Sequence, residues 1–166
     1  MFNRSRFFIL TTIHLTSFIN APVDRVFDLS RSINLHHISM ESSNEKAIAG
    51  TISGLINKGE RVTWQARHLF KTRVFTSEIT AMERPDFFID EMVKGDFKNF
   101  HHEHHFKPVE NGMIMIDKIN FETPYGTLGK IVNWLFLRAY VEKFLLKRNE
   151  VIREYAESQK WKAILM

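Results

Sequence analysis

The chain has 166 residues, 44% apolar and 25% charged, which suits one soluble globular domain with a real core and excludes a disordered chain. It has no cysteine, which excludes disulfides and thiolate metal sites and fits a reducing, cytoplasmic setting. The formal charge of +4 would favour an anionic partner only if it were clustered.

The apolar run Phe7 to Leu10 is too short for a signal-peptide core, and polar Thr11 and Thr12 follow it directly. Residues 12 to 19 alternate and are β-rich, so they predict a strand. Ala21-Pro22 then opens a helix, because proline's missing N–H has no partner in a first turn anyway. Val23, Val26 and Phe27 give that helix one apolar face. Ser32 is placed to cap a second short helix over Ile33 to Met40.

A run of strands follows, at residues 45–49, 61–69, 74–82, 86–93, 98–108 and 113–122. Gly50, Gly54 and Gly59 punctuate a loop carrying Leu55 and Ile56, either an ordinary surface loop or a lid over a cavity mouth. In residues 61–69, Val62, Trp64, Ala66 and His68 share one face. Glu110-Asn111-Gly112 is a hairpin signal joining the last two strands. From about Thr127 to Ser158 the spacing predicts one long helix. It is apolar almost all round from Ile131 to Leu137, so it must bury more than one side, in a broad core, a homodimer contact or a transient membrane-surface contact. Lys143, Lys147, Arg148 and Arg153 read as its solvated face. No segment is long and apolar enough to span a bilayer; Ile131 to Leu146 comes nearest but carries Asn133, Arg138, Glu142 and Lys143.

Strands joined by hairpins, with the helices set apart from them, indicate an α+β fold: a curved antiparallel sheet of about seven strands gripping the long C-terminal helix. One domain over 1–166 is expected, with its core at about 12–158.

Several segments resemble the START-like, helix-grip superfamily, which takes in polyketide cyclases and dehydratases, lipid-transfer domains, plant hormone receptors and birch-pollen-type allergens. They are Ile19-Asn20-Ala21-Pro22-Val23 with Val26-Phe27-Asp28, then Val62 to His68, Phe88-Ile89-Asp90 and Gly95-Asp96-Phe97. His102, His104, Phe106, Asp117 and Pro124-Tyr125-Gly126 complete the set, and the strand motif at Val62 to His68 is similar to one bacterial branch. The resemblance implies a helix-grip fold with a cavity for a hydrophobic small molecule, lipid-like or aromatic, and leaves the chemistry open because fold does not fix function.

The segment His101-His102-Glu103-His104-His105 is the most unusual. The hairpin pairs even positions of one strand with odd positions of the next, so Phe100, His102, His104 and Phe106 share a face with Met115, Asp117, Ile119 and Phe121. His101, Glu103, His105 and Lys107 then face solvent with Lys118, Asn120 and Glu122. The inward face is apolar apart from His102, His104 and Asp117, joined by His68 and with Asp90 in range. Trp64, Phe100, Phe106, Met115 and Phe121 would line the pocket. Either these polar groups orient a ligand in an apolar cavity, or they satisfy one another in a packed core.

Two histidines two apart could also point at one metal ion, completed by a carboxylate or His68. Without cysteine or a standard zinc spacing, no metal is expected, and no motif calls for a cofactor: Gly50 to Gly59 lacks the Lys-Ser/Thr pair of a phosphate loop. A cyclase or dehydratase reaction would need an acid and a base, roles His and Asp can fill. No aromatic-basic strand motif supports nucleic-acid binding.

Overall fold

The computed structural model describes residues 10–68, 70–122 and 136–166, with the side chain of His68 left aside. Strand β1 (Thr11–Ile19) leads into helix α1 (Val23–Ser30) and helix α2 (Ile33–Ser39). Strands β2 (Lys46–Gly50), β3 (Arg61–His68), β4 (Lys71–Glu83), β5 (Phe87–Lys94), β6 (Asn99–Val109) and β7 (Gly112–Glu122) follow. Helix α3 (Arg138–Glu157) and a last short helix α4 (Lys162–Leu165) close the chain. The part of the long helix expected before Phe136, including Ile131 to Leu135 of its all-round apolar stretch, lies outside the described residues. So does Pro124-Tyr125-Gly126.

Every pairing is antiparallel, in the order β1-β7-β6-β5-β4-β3-β2, so β1 returns to pair with the last strand while the rest form a meander. Register shifts break the β4–β5 ladder at Thr76/Ser77 and at Ile79/Ala81. Such bulges bend a strand and raise its twist, which curves the sheet around what it encloses. The β6–β7 turn requires glycine at Gly112, where φ is +148° and a Cβ would collide with the Ile19 carbonyl.

Proline precedes α1, and the Ser32 side chain caps α2 by accepting from Leu35 N at 3.3 Å. The apolar face of α1 is fully used: Val26, Phe27 and Leu29 pack with Ile19, Phe106, Met113 and Met115 from the sheet and with Ile152 and Ala156 from α3. A second cluster joins Ile13, Leu15, Ile119 and Phe121 to Leu145. Helix α3 thus rests on the β1–β7 half of the concave face. Burying a large apolar side chain contributes about 1.5–3 kcal/mol, so these two clusters fix where the helix lies. The β3–β6 half of the same face is left for a cavity.

Candidate functional site

The cavity has a volume of about 410 Å³ and lies between α1, α2, the face of α3 and the inward residues of β3 to β6. Its apolar wall includes Val62, Trp64, Ala66, Phe75, Phe88 and Phe100. Each is an inward residue of its strand, which is why the period-two pattern exposes it to the interior. Phe75 meets Phe100 edge-on, with centroids 5.4 Å apart. His36 of α2 lies over Trp64 at 4.2 Å and bonds Glu45 Oε1 at 2.7 Å. The loop with Leu55 and Ile56 is tied down and is not a free lid: Ile56 is buried against the cavity, and Arg31 holds Ile56 O and Asn57 Oδ1.

One polar cluster stands at the boundary between cavity and core. In the β6–β7 ladder His104 is directly opposite Asp117, and His102 is diagonal to it. Asp117 is fully buried. His102 Nε2 donates to Asp117 Oδ1 at 2.8 Å, since an ionised carboxylate can only accept. His104 Nδ1 is 2.9 Å from the same oxygen but makes no aligned hydrogen bond, so it is a close electrostatic contact. Asn149 Nδ2 donates to Oδ2 at 2.6 Å. Arg148 places Nη1 3.8 Å from Oδ1 and donates through Nη2 to Ser30 O at 3.0 Å.

Burial alone would raise the Asp117 carboxyl. The His102 and His104 imidazoles outweigh it and hold the group well below the usual carboxylate range. Burial, followed by the nearby His102 charge, drives His104 well below the ordinary histidine value, against the pull of Asp117. At neutral pH His104 is therefore an uncharged ring. It stacks on Phe88 at 4.1 Å and lies tilted against His102, with centroids 3.7 Å apart.

Arg148 corrects the reading of that side chain as solvated: it is 5% exposed and lines the cavity. Asn149 was not marked by the sequence reasoning either. Both fall on the helical stripe of Leu145, Ile152 and Ala156, and that spacing was the available signal.

Trp64, Phe100, His102 and His104 line the cavity. Phe106, Met115 and Phe121 share the inward face but sit in the packed clusters, because α1 and α3 cover that half of the sheet. Asp117 lies behind the histidines. The His68 side chain is outside the described residues. Asp90, directly across from His102 on β5, lines the cavity and is partly accessible from it. Burial pushes its carboxyl up, against a hydrogen bond from Ser77, and its Oδ1 has no hydrogen-bond partner.

His102, His104 and Asp117 are also close enough to share a metal ion, with donor atoms within 4.8 Å of one another. Their present arrangement is charge-balanced by Arg148 without an ion, and that guanidinium would repel a cation placed there. On the outer face, His101 bonds Glu91 at 2.8 Å and His105 bonds Glu103 at 2.7 Å, as a polar, half-buried lattice. No described helix is long and apolar enough to cross a membrane.

No family model matches the sequence, and no curated protein matches it. Solved structures do match. TTHA0849 from Thermus thermophilus superposes with a TM-score of 0.72 at 15% identity, over 88% of this chain and 97% of that one. The di-domain ARO/CYC StfQ of the steffimycin biosynthetic pathway gives 0.73 at 9% identity, over 93% of this chain and 53% of that one. Ginseng major latex-like protein 151 from Panax ginseng gives 0.65 at 15% identity, over 89% and 98%. Likeness at such identities speaks for the fold alone. The strand order, the two short helices after β1 and the long C-terminal helix agree with it, and the chain has the helix-grip fold.

Proposed function

We propose that this protein binds a hydrophobic small molecule, lipid-like or aromatic, inside the helix-grip cavity. The observation that carries this reading is the cavity itself. About 410 Å³ of mainly apolar space falls in the range of small-molecule sites, roughly 300–1,000 Å³. A few polar groups converge on it, as expected where an apolar body is held and one polar end is oriented. In this reading Trp64 and Phe100 contact the ligand body, and His102 and His104 meet its polar end. Asp117, with Arg148 and Asn149, sets the imidazoles in place from behind. Extraction of the purified protein with organic solvent, followed by mass spectrometry, tests it. A co-purified apolar compound near one equivalent supports binding, and a clean extract from protein that also takes up no apolar dye contradicts it.

A second reading is acid–base catalysis of the cyclase or dehydratase type in the same cavity. It is favoured by two groups with opposite shifts: Asp90, pushed toward its protonated form, and His104, held neutral. Environments that separate two titratable groups in this way suit an acid and a base. Turnover of the extracted compound, lost in His104→Gln, is its expected signature. Binding without any change in the compound leaves the first reading alone.

A further inference from the structure

Charge matching around the cavity has one gap among the described residues. Arg31 pairs with Asp28 at 2.8 Å and His36 with Glu45 at 2.7 Å. Arg73 pairs with Asp96, and Arg148 lies 3.8 Å from Asp117, which also holds His102 and His104. Asp90 has no ion-pair partner, and its buried Oδ1 accepts no hydrogen bond. An unsatisfied buried carboxyl oxygen is unfavourable, so it calls for an explanation.

Register places this group among aromatic rings. Asp90 is across from His102 on β6 and Ile79 on β4. Phe88 precedes it by two on the same face of β5, and Phe100 is diagonal to it. Phe75 touches Phe100, and Trp64 lines the same space. A carboxyl group without a counter-ion, set among ring faces, is what an organic ammonium group recognises: its N–H groups bond the carboxylate while its charge rests on the rings.

We propose that the cavity takes an amphipathic amine whose apolar body packs against Trp64, Phe75 and Phe100 and whose ammonium group ion-pairs with Asp90. This rests on the ligand-binding reading above and names the ligand class for it. A ligand carboxylate would meet ionised Asp90 as a like charge, and an alcohol would bond the carboxyl without offering it a counter-charge. Among the neighbours, His104 is uncharged, and the charge of Arg148, which disfavours a second cation, is offset in part by Asp117.

The groups facing Asp90 are Ser77 on β4, His102 on β6, His36 on α2 and Arg148 on α3. The amine must displace the proton that burial favours on Asp90. Its binding therefore strengthens as pH rises through the range in which that carboxyl ionises.

The test is displacement of the neutral dye phenylnaphthylamine by naphthylmethylamine, naphthylmethanol and naphthoic acid, which share one ring system. The amine should compete about tenfold better than the alcohol at about pH 8, with a smaller margin at about pH 5, and the acid should be the weakest. Asp90→Asn should erase the preference while dye binding persists. If the dye binds and the amine is no better than the alcohol, or if Asp90→Asn keeps the preference, the proposal is overturned and the cavity reading stands. If the dye itself does not bind, both fall. The wild-type ratio decides the matter even where the variant is too unstable to assay.

Discussion

Asn149 of α3 donates to Asp117 of β7 at 2.6 Å, joining the gripped helix to the sheet through a fully buried carboxylate. The neighbouring Arg148 brings its guanidinium to the other oxygen and holds the end of α1 through Ser30 O. Strand, C-terminal helix and first helix therefore meet at one charge. The same carboxylate orients the two imidazoles at the cavity wall, so the grip and the polarity of the pocket depend on one group.

Removing that charge should destabilise the fold before it changes any ligand preference. Asp117→Asn leaves Arg148 buried without its counter-charge, a change that costs about 3 kcal/mol. Urea unfolding at neutral pH measures it. An unchanged midpoint would mean the network contributes little to the helix–sheet contact.

Acid should unfold the protein from the histidine range downward. The folded pKa of His104 is depressed, so the unfolded chain takes up a proton that the folded one resists, and stability falls below about pH 6.5. Asp117 is depressed as well. Its contribution is present above the unfolded carboxylate value, near 4, and is lost as pH falls further toward its folded value. Melting temperature against pH should show both losses, and His104→Phe should remove the upper one. A flat profile in the wild type down to the carboxylate range would contradict this assignment.

Two aromatic substitutions should separate cavity from core. Phe100→Trp adds volume at the wall and should weaken binding of an apolar dye with little change in stability. Phe121→Ala empties a fully buried position under α3 and should cost about 3–5 kcal/mol, with dye affinity nearly unchanged in the folded fraction. Equal effects of the two on dye binding would mean the cavity extends under the helix.

The His102, His104 and Asp117 cluster should hold no tightly bound transition metal. Elemental analysis after dialysis is expected to find well below one equivalent. Near-stoichiometric zinc, iron or nickel that disappears in His102→Ala would show that the cluster is a metal site despite Arg148.

Much of this arrangement was legible in the sequence, because a β-strand has a strict period of two and Glu110-Asn111-Gly112 fixes the hairpin register. Those two facts put Asp117 opposite or diagonal to His102 and His104, and the ladder shows that it is His104 that stands directly opposite. Alternation gives the face of a residue but not what covers it. Met115 and Phe121 point inward just as Phe100 does, yet they lie in packed clusters while Phe100 borders open space. Arg148 was lost for a different reason. A long cation among Lys143 and Lys147 looks solvated, and only its place on the stripe of Leu145, Ile152 and Ala156 marks it as buried.

The central claim is that the β3–β6 half of the concave face encloses usable space. The most direct measurement is fluorescence titration of the delipidated wild-type protein with phenylnaphthylamine. One saturable site, weakened by Phe100→Trp, is the expected result. Fluorescence that stays at the free-dye level or rises without saturation, in protein that melts cooperatively, would contradict it.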